Sequence, residues 1–154
     1  MVVSMAFLSS LDISGSGLTA QKYRMDIISQ NVAGAEITRT PEGGPYKRKL
    51  VVMTPRSGKW SFAQYLRSAS PSVKDYMQRQ GVRVTAVIDD RTPNKVVYDP
   101  DHPDANEDGY VEMPNVDMVK EMIDLMGASR SYEANVTVNN TVKQMAAKAL
   151  EIGR

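Results

Sequence analysis

Apolar residues recur at helical spacing in the last quarter of the chain. No proline lies between Asn115 and Ile152, and ten positions there step by alternating threes and fours. Seven of the ten are apolar, which is the heptad pattern of a coiled coil with polar gaps. The ten positions are Met118, Met122, Leu125, Ser129, Tyr132, Val136, Asn139, Lys143, Ala146 and Leu150.

A weaker stripe of the same kind predicts a first helix from about Met5 to Val32. Gly15 and Lys22 interrupt it, and the glycines at 15 and 17 each cost about 1 kcal/mol relative to alanine in a helix. Long helices with such thin stripes are usually completed by other chains, so the pattern predicts assembly. The apolar members of this stripe are Leu8, Leu11, Leu18, Met25, Ile28 and Val32.

Turn residues and β-branched runs separate the two helices. We expect one small β unit of three or four strands and a mobile insertion at about 54–80. Asn115, after Pro114, is predicted to cap a last helix of about 36 residues, or about 54 Å. The predicted strands are Leu50–Met53, Val82–Ile88, Lys95–Tyr98 and Tyr110–Met113.

The predicted fold is therefore mainly α with a small β part. Residues 1–38 and 115–154 would form one discontinuous domain, in which the amphipathic terminal helices pair as a coiled-coil-like bundle. Residues 39–114 would form a β-rich middle segment that contains the insertion. In the last helix Asn139 lies on the heptad seam, where a polar residue can fix the register of packed helices.

Composition excludes several classes of protein. The 154 residues carry a formal charge of +1, so the chain as a whole has no strong attraction for nucleic acid or an anionic membrane. Without cysteine there is no disulfide framework and no thiol nucleophile. The start MVVSMAFLSSLD lacks a basic region, so no cleavable secretory signal is expected. No run approaches the roughly 20 apolar residues of a membrane span.

Local charge is less even than the total. Residues 47–79 hold eight basic side chains and one acidic, whereas residues 99–124 hold nine acidic and one basic. Two solvated loops of opposite sign would explain this pattern. Electrostatic complementarity between neighbouring subunits is the alternative, and it would orient assembly more than it would strengthen it.

Candidate chemistry is sparse. His102, the one histidine, lies between prolines in a loop with no nucleophile or oxyanion feature nearby, so we expect no enzyme and no cofactor. Asp104, Asn106 and Asp108 fit the first positions of a calcium loop, but Asn115 occupies position 12, where such a loop needs glutamate. The alternatives to a polymer subunit are therefore a calcium-binding protein or a free-standing coiled-coil adaptor.

The two ends resemble the flagellar rod and hook proteins. The first part follows their opening pattern SGL.AQ…RM..IS.N.AN..T, and PEGGPY, YDPDHPDA, GYV, PNV, SRSYEANV and ALEIGR follow in the order of a rod protein. Gly34 and Glu36 depart from the pattern, since asparagine is usual at both places, and residues 54–80 match nothing. The matching positions are Ser16, Gly17, Leu18, Gln21, Asn31, Ala33, Thr38, Arg130, Tyr132, Glu133, Ala134 and Asn135.

The resemblance implies a structural subunit of the flagellar basal-body rod. Such proteins are exported unfolded through the flagellar type III apparatus without signal cleavage, and they polymerise helically in the periplasm through their terminal helices. The implied partners are other copies of the chain, other rod proteins, the adaptor between rod and MS ring, and the export apparatus. The helical stripes agree with this assignment because they need partners.

Overall fold

A computed structural model describes the backbone of residues 2–56 and 81–152, and the side chains of 9–56 and 81–151. Almost all of the predicted insertion at 54–80 lies outside these residues. The mainly α fold with a small β part is confirmed. The elements in chain order are helix α1 (Val2–Ala33), strands β1 (Lys49–Pro55), β2 (Val82–Asp89), β3 (Lys95–Tyr98) and β4 (Tyr110–Met113), and helix α2 (Met118–Ile152).

The described strands form two separate sheets instead of the single β unit that the sequence suggested. β1 pairs with β2, and β3 pairs antiparallel with β4 in a register that sets Lys95 opposite Met113 and Tyr98 opposite Tyr110. The turn between β2 and β3 does not extend either ladder. Its carbonyl oxygens at Asp90 and Thr92 accept hydrogen bonds from the side-chain amide of Asn115 instead.

Contacts divide the chain into two compact units, each containing part of both helices. The first unit comprises residues 1–22, 53–85 and 130–154, and the second comprises 23–52 and 86–129. The sequence-based division had grouped each terminal helix entirely in one domain. Within the described segments, neither helix carries an apolar stretch of the length and hydropathy needed to cross a membrane.

The N-cap of α2 is Asp117, and the prediction of Asn115 was wrong. The Asp117 carboxylate accepts the backbone N–H groups of Val119 at 3.0 Å and Lys120 at 3.3 Å, which satisfies two donors of the first turn. Asn115 is unavailable for capping because its side-chain oxygen accepts the N–H of Arg48 at 2.9 Å. Pro114 and Asn115 therefore lie a few residues before the helix, which begins at Met118.

Two faces of α1 are buried. One is the predicted stripe, on which Ile28 is buried and Leu18 and Met25 are half-buried. Apart from Ile27, the other face is made of small and polar residues, and apolar periodicity therefore gives no signal for most of it. Its buried members are Ser16, Ala20, Ile27 and Asn31.

Each buried position of α2 among the described residues precedes a position of the predicted seam by one residue. Glu121, Ala128 and Val142 are the fully buried side chains of this helix among the described residues. The predicted seam contains the next residue at each of these places, Met122, Ser129 and Lys143. One residue corresponds to a rotation of about 100° around the helix. The coiled-coil-like pairing of the two helices stays a prediction.

Candidate assembly interface

Asn31 is the centre of a polar cluster in the second unit. Its side chain is 1% exposed, and both of its polar atoms are fully engaged. The amide nitrogen donates to the Lys49 carbonyl at 2.9 Å and to the Glu121 carboxylate at 3.0 Å. The oxygen accepts the Lys49 N–H at 2.9 Å and the Tyr46 hydroxyl at 3.0 Å. One side chain thus joins α1 to the start of β1 and to the first turn of α2.

Arg48 neutralises the buried carboxylate in this cluster. The Glu121 side chain is 1% exposed, and its Oε1 atom lies 2.6 Å from the Arg48 guanidinium. Asp90 and Asp124 each lie 3.5 Å from the same guanidinium. A buried charge is tolerated only when it is paired and hydrogen-bonded, and here both conditions hold.

Several groups of the cluster have a shifted pKa. Burial lowers the pKa of Arg48, but its hydrogen bond and ion pair with Glu121 outweigh this, so the net shift is upward. Hydrogen bonds from the Thr92 hydroxyl and N–H lower the pKa of Asp90. Burial raises the pKa of Tyr46, and the negative charges of Asp89 and Glu121 raise it further. Each shift favours the protonation state that prevails near neutral pH.

In the first unit, Ser16 has a role comparable to that of Asn31. Its O–H donates to the Ile13 carbonyl at 2.7 Å, and its hydroxyl oxygen accepts the N–H of Val82, the first residue of β2, at 3.0 Å. Gly81 approaches so closely that a Cβ atom there would overlap the Ser16 side chain, and its φ of +86° also favours glycine. Ser16 thus attaches α1 to the start of β2.

Gly17 allows the two helices of the first unit to approach each other. A Cβ atom at this position would lie 3.1 Å from the side-chain oxygen of Asn135 on α2. The Asn135 amide in turn donates to the Ser131 carbonyl at 2.8 Å, which holds it in place. Ser16, Gly17, Asn31 and Asn135 were singled out by family resemblance, and the structure gives each a packing or hydrogen-bonding role inside the chain.

The first turns of α2 present an apolar surface, which we call the methionine face. Five large apolar side chains on the outer side of this segment are between 42% and 69% exposed. Exposed apolar side chains that cluster on one helix face are characteristic of interaction surfaces, whereas isolated ones are normal. The members are Met118, Val119, Met122, Ile123 and Met126.

The last turns of α2, in the first unit, also carry exposed apolar side chains. Met145 is 57% exposed, and Val138, two turns before it, is 48% exposed. Leu150, near the end of the helix, is exposed as well.

The interface residues predicted from the sequence have different exposures in the structure. Ile28 is buried within the chain, whereas Met118, Met122 and Leu150 are exposed. The side chain of Leu8 lies outside the described residues. The remaining members are half-buried, namely Leu11, Leu18, Met25, Val32, Leu125, Tyr132, Val136 and Asn139.

In the acidic loop before β4, the side chains of Asn106, Asp104 and His102 make hydrogen bonds within the protein. The Asn106 side-chain oxygen accepts the N–H groups of Asp108 at 3.1 Å and Tyr110 at 2.8 Å. Asp104 accepts the Thr38 hydroxyl at 2.8 Å, and the His102 ring accepts the Asp104 N–H at 3.1 Å. In the described part of the chain, no group of three or more acidic or histidine side chains is arranged to hold a metal ion. The loop geometry is that of hydrogen-bonded turns.

Comparison with known proteins supplies the context for these surfaces. Residues 107–152 match the family described as flagellar basal body rod FlgEFG protein C-terminal. The chain is 43% identical to the flagellar basal-body rod protein FlgC of Borreliella burgdorferi, over 96% of this chain and 98% of the relative. The Bacillus subtilis protein of that name is 44% identical, and that of Escherichia coli O6:H1 is 43% identical. Each of these two alignments covers 97% of this chain and 100% of the relative.

Proposed function

Because the chain belongs to the FlgC family of flagellar basal-body rod proteins, we propose that it builds the rod through contacts made by its two helices. The chain is a structural protein of the flagellar basal body and not an enzyme. The observation that carries this function is the identity of 44% along the entire Bacillus subtilis protein, which leaves no unmatched part in that relative.

The exposed part of the predicted interface supplies the contacts with other subunits in this proposal. Met118, Met122 and Leu150 face solvent in the isolated chain, so another chain can bury them. Burying apolar area contributes about 25 cal/mol per Å², which makes such a surface a source of binding energy. Ile28 and the half-buried members would hold the subunit itself together and shape its outer surface. Residues 1–38 and 115–154 would then form the assembly core, and 39–114 an outer segment.

The proposed partners are other copies of this chain, other rod proteins, the adaptor between rod and MS ring, and the export apparatus. The proposed location is the periplasmic rod, reached by type III export without removal of a signal peptide. Two features support export in an unfolded state. The chain lacks cysteine, so no disulfide has to form or break in transit. Its buried core also contains polar groups such as Ser14, Asn31 and Glu121, which are well solvated when the chain is extended.

Complementation of a deletion strain tests the function directly. A host that lacks this gene should be non-motile and should form basal bodies without a complete rod, and the wild-type gene should restore both. A deletion strain that swims normally would contradict the assignment. Met122→Asp should complement poorly because it places a charge on a surface that assembly buries. The matched control is Lys120→Asp, since position 120 is exposed on the same helix segment but outside the methionine face.

A further inference from the structure

The interior of the second unit has a polar centre. Among the described residues, the largest side chains that are less than 2% exposed all belong to this unit, and they are Glu121, Val111, Asn31 and Pro114. Burial of apolar groups is non-directional, whereas a buried polar group needs its own partner in place. The arrangement of this interior therefore depends on specific hydrogen bonds and ion pairs.

Three segments supply the groups that these buried side chains need. Glu121, in the first turns of α2, accepts the Asn31 amide at 3.0 Å and pairs with Arg48, directly before β1, at 2.6 Å. Asn31, near the end of α1, exchanges two further hydrogen bonds of 2.9 Å with the backbone of Lys49. If one segment separates from the other two, buried groups on those two lose partners, which is unfavourable.

The partners are far apart in the chain. Asn31 and Glu121 are separated by 90 positions, and Arg48 and Glu121 by 73. Bringing such distant residues together has an entropic cost, which the three segments share if they become ordered together. Glu121 contacts both Asn31 and Arg48, so it is the shared partner of the other two segments.

We propose that the polar cluster makes the end of α1, the start of β1 and the first turns of α2 open and close together, and that Glu121 carries this coupling. The coupled segments are residues 24–33, 49–52 and 118–124. The inference goes beyond the proposed function, because it concerns how order is transmitted within one subunit. A change confined to the start of α2 then alters the order of α1 and β1 as well.

Native-state hydrogen exchange of Asp117→Ala tests the coupling. The Asp117 carboxylate caps α2 through the N–H groups of Val119 and Lys120, so its removal acts on this helix directly. Loss of a cap should raise the opening equilibrium of the first turns about fivefold. We expect the amides of all three segments to exchange faster by that same factor. The control is Lys120→Ala, an exposed position on the same turns, which should exchange like wild type.

The same substitution in a Glu121→Leu background identifies the residue that carries the coupling. Glu121→Leu removes the shared partner, whereas Asn31 keeps its bonds to Lys49 and the Arg48 guanidinium keeps its two neighbouring aspartates. In this background we expect Asp117→Ala to accelerate exchange in residues 118–124 alone.

Asn31→Ala is the second variant, and it replaces Glu121→Leu if that protein does not fold. It disconnects α1 and leaves the ion pair between Arg48 and Glu121 in place. Added to it, Asp117→Ala should still accelerate exchange in residues 49–52 but no longer in residues 24–33.

Three outcomes would overturn the inference. The first is acceleration confined to residues 118–124 in Asp117→Ala itself, which would show that α2 opens independently. The second is equal transmission in the cluster variants and in their absence, which would show that apolar packing carries the coupling. The third is a wild-type chain whose residues 24–33 are unprotected while residues 118–124 are protected.

Discussion

Removal of the Arg48 guanidinium should destabilise the second unit strongly. In Arg48→Met, the Glu121 carboxylate would keep its hydrogen bond from Asn31 but lose the positive charge 2.6 Å away. Glu121 is 1% exposed, so water cannot replace the lost partner without local opening. The variant therefore leaves an uncompensated charge in the interior.

Breaking a buried ion pair by removing one partner costs about 3–5 kcal/mol. An ordinary domain has a free energy of unfolding of about 5–15 kcal/mol, so this cost is a large share of it. For a chain of this size, it corresponds to a fall in the melting temperature of about 6–20 °C. Arg48→Met with Glu121→Gln should be more stable than Arg48→Met alone, because the second substitution removes the unpaired charge and keeps an oxygen that can accept the Asn31 amide.

Urea unfolding followed by circular dichroism measures the free energy, and hydrogen exchange shows where the loss occurs. Relative to wild type, Arg48→Met should accelerate exchange in the second unit, residues 23–52 and 86–129. Exchange in residues 9–22 and 130–151 should change less. The matched control is Arg24→Met, which breaks a pair with Asp124 at 3.5 Å whose side chains are 43% and 34% exposed. Exposed pairs contribute about 1 kcal/mol or less, so this variant should remain close to wild type.

Equal effects of Arg48→Met and Arg24→Met would refute the reasoning, because burial would then make no difference to the value of the ion pair. A double variant no more stable than Arg48→Met would also refute it. In that case the loss would come from the packing of the arginine side chain and not from the charge left on Glu121.

Three further predictions concern other parts of the chain. Gly15→Ala should stabilise α1 by up to about 1 kcal/mol, because a Cβ atom there meets no atom within 4 Å. Gly17→Ala should stabilise it clearly less, because a Cβ atom at that position would press on Asn135. Thermal unfolding compares the two variants, and equal gains in stability would contradict close packing at Gly17. The pKa of Tyr46 is raised in the folded state. Its contribution to folding stability is therefore present below its ordinary pKa of 10.0 and is lost as the pH rises through the folded-state pKa. Wild type should therefore lose stability at alkaline pH relative to Tyr46→Phe, and parallel pH profiles in urea unfolding would disprove this. Asp117→Ala should cost about 1 kcal/mol through loss of the N-cap, and an unchanged urea midpoint would show that another group caps α2.

The sequence predicted the type and order of the described elements well. Long proline-free segments with helical periodicity, and short β-branched runs between turn residues, were sufficient for both helices and all four strands. The resemblance of both ends to flagellar rod proteins also identified the family correctly. These features depend on local chain preferences and on motifs, which are present in the sequence itself.

The buried faces depended on tertiary structure. On α2, apolar residues occupy more than one face, so periodicity could not distinguish the buried positions, such as Ala128, from the exposed methionine face. On α1, the hidden face contains Ser16 and Asn31, whose burial is favourable only because distant backbone groups at Val82 and Lys49 satisfy them.

The polar cluster shows the same limit most clearly. Glutamate is rarely buried unless it is paired, and the burial of Glu121 depends on Arg48, which is 73 positions earlier in the chain. The sequence by itself therefore determined the elements and the family. Only the tertiary structure decided which side chains are buried, because the cost of burying a polar or charged group is set by partners that come from elsewhere in the chain.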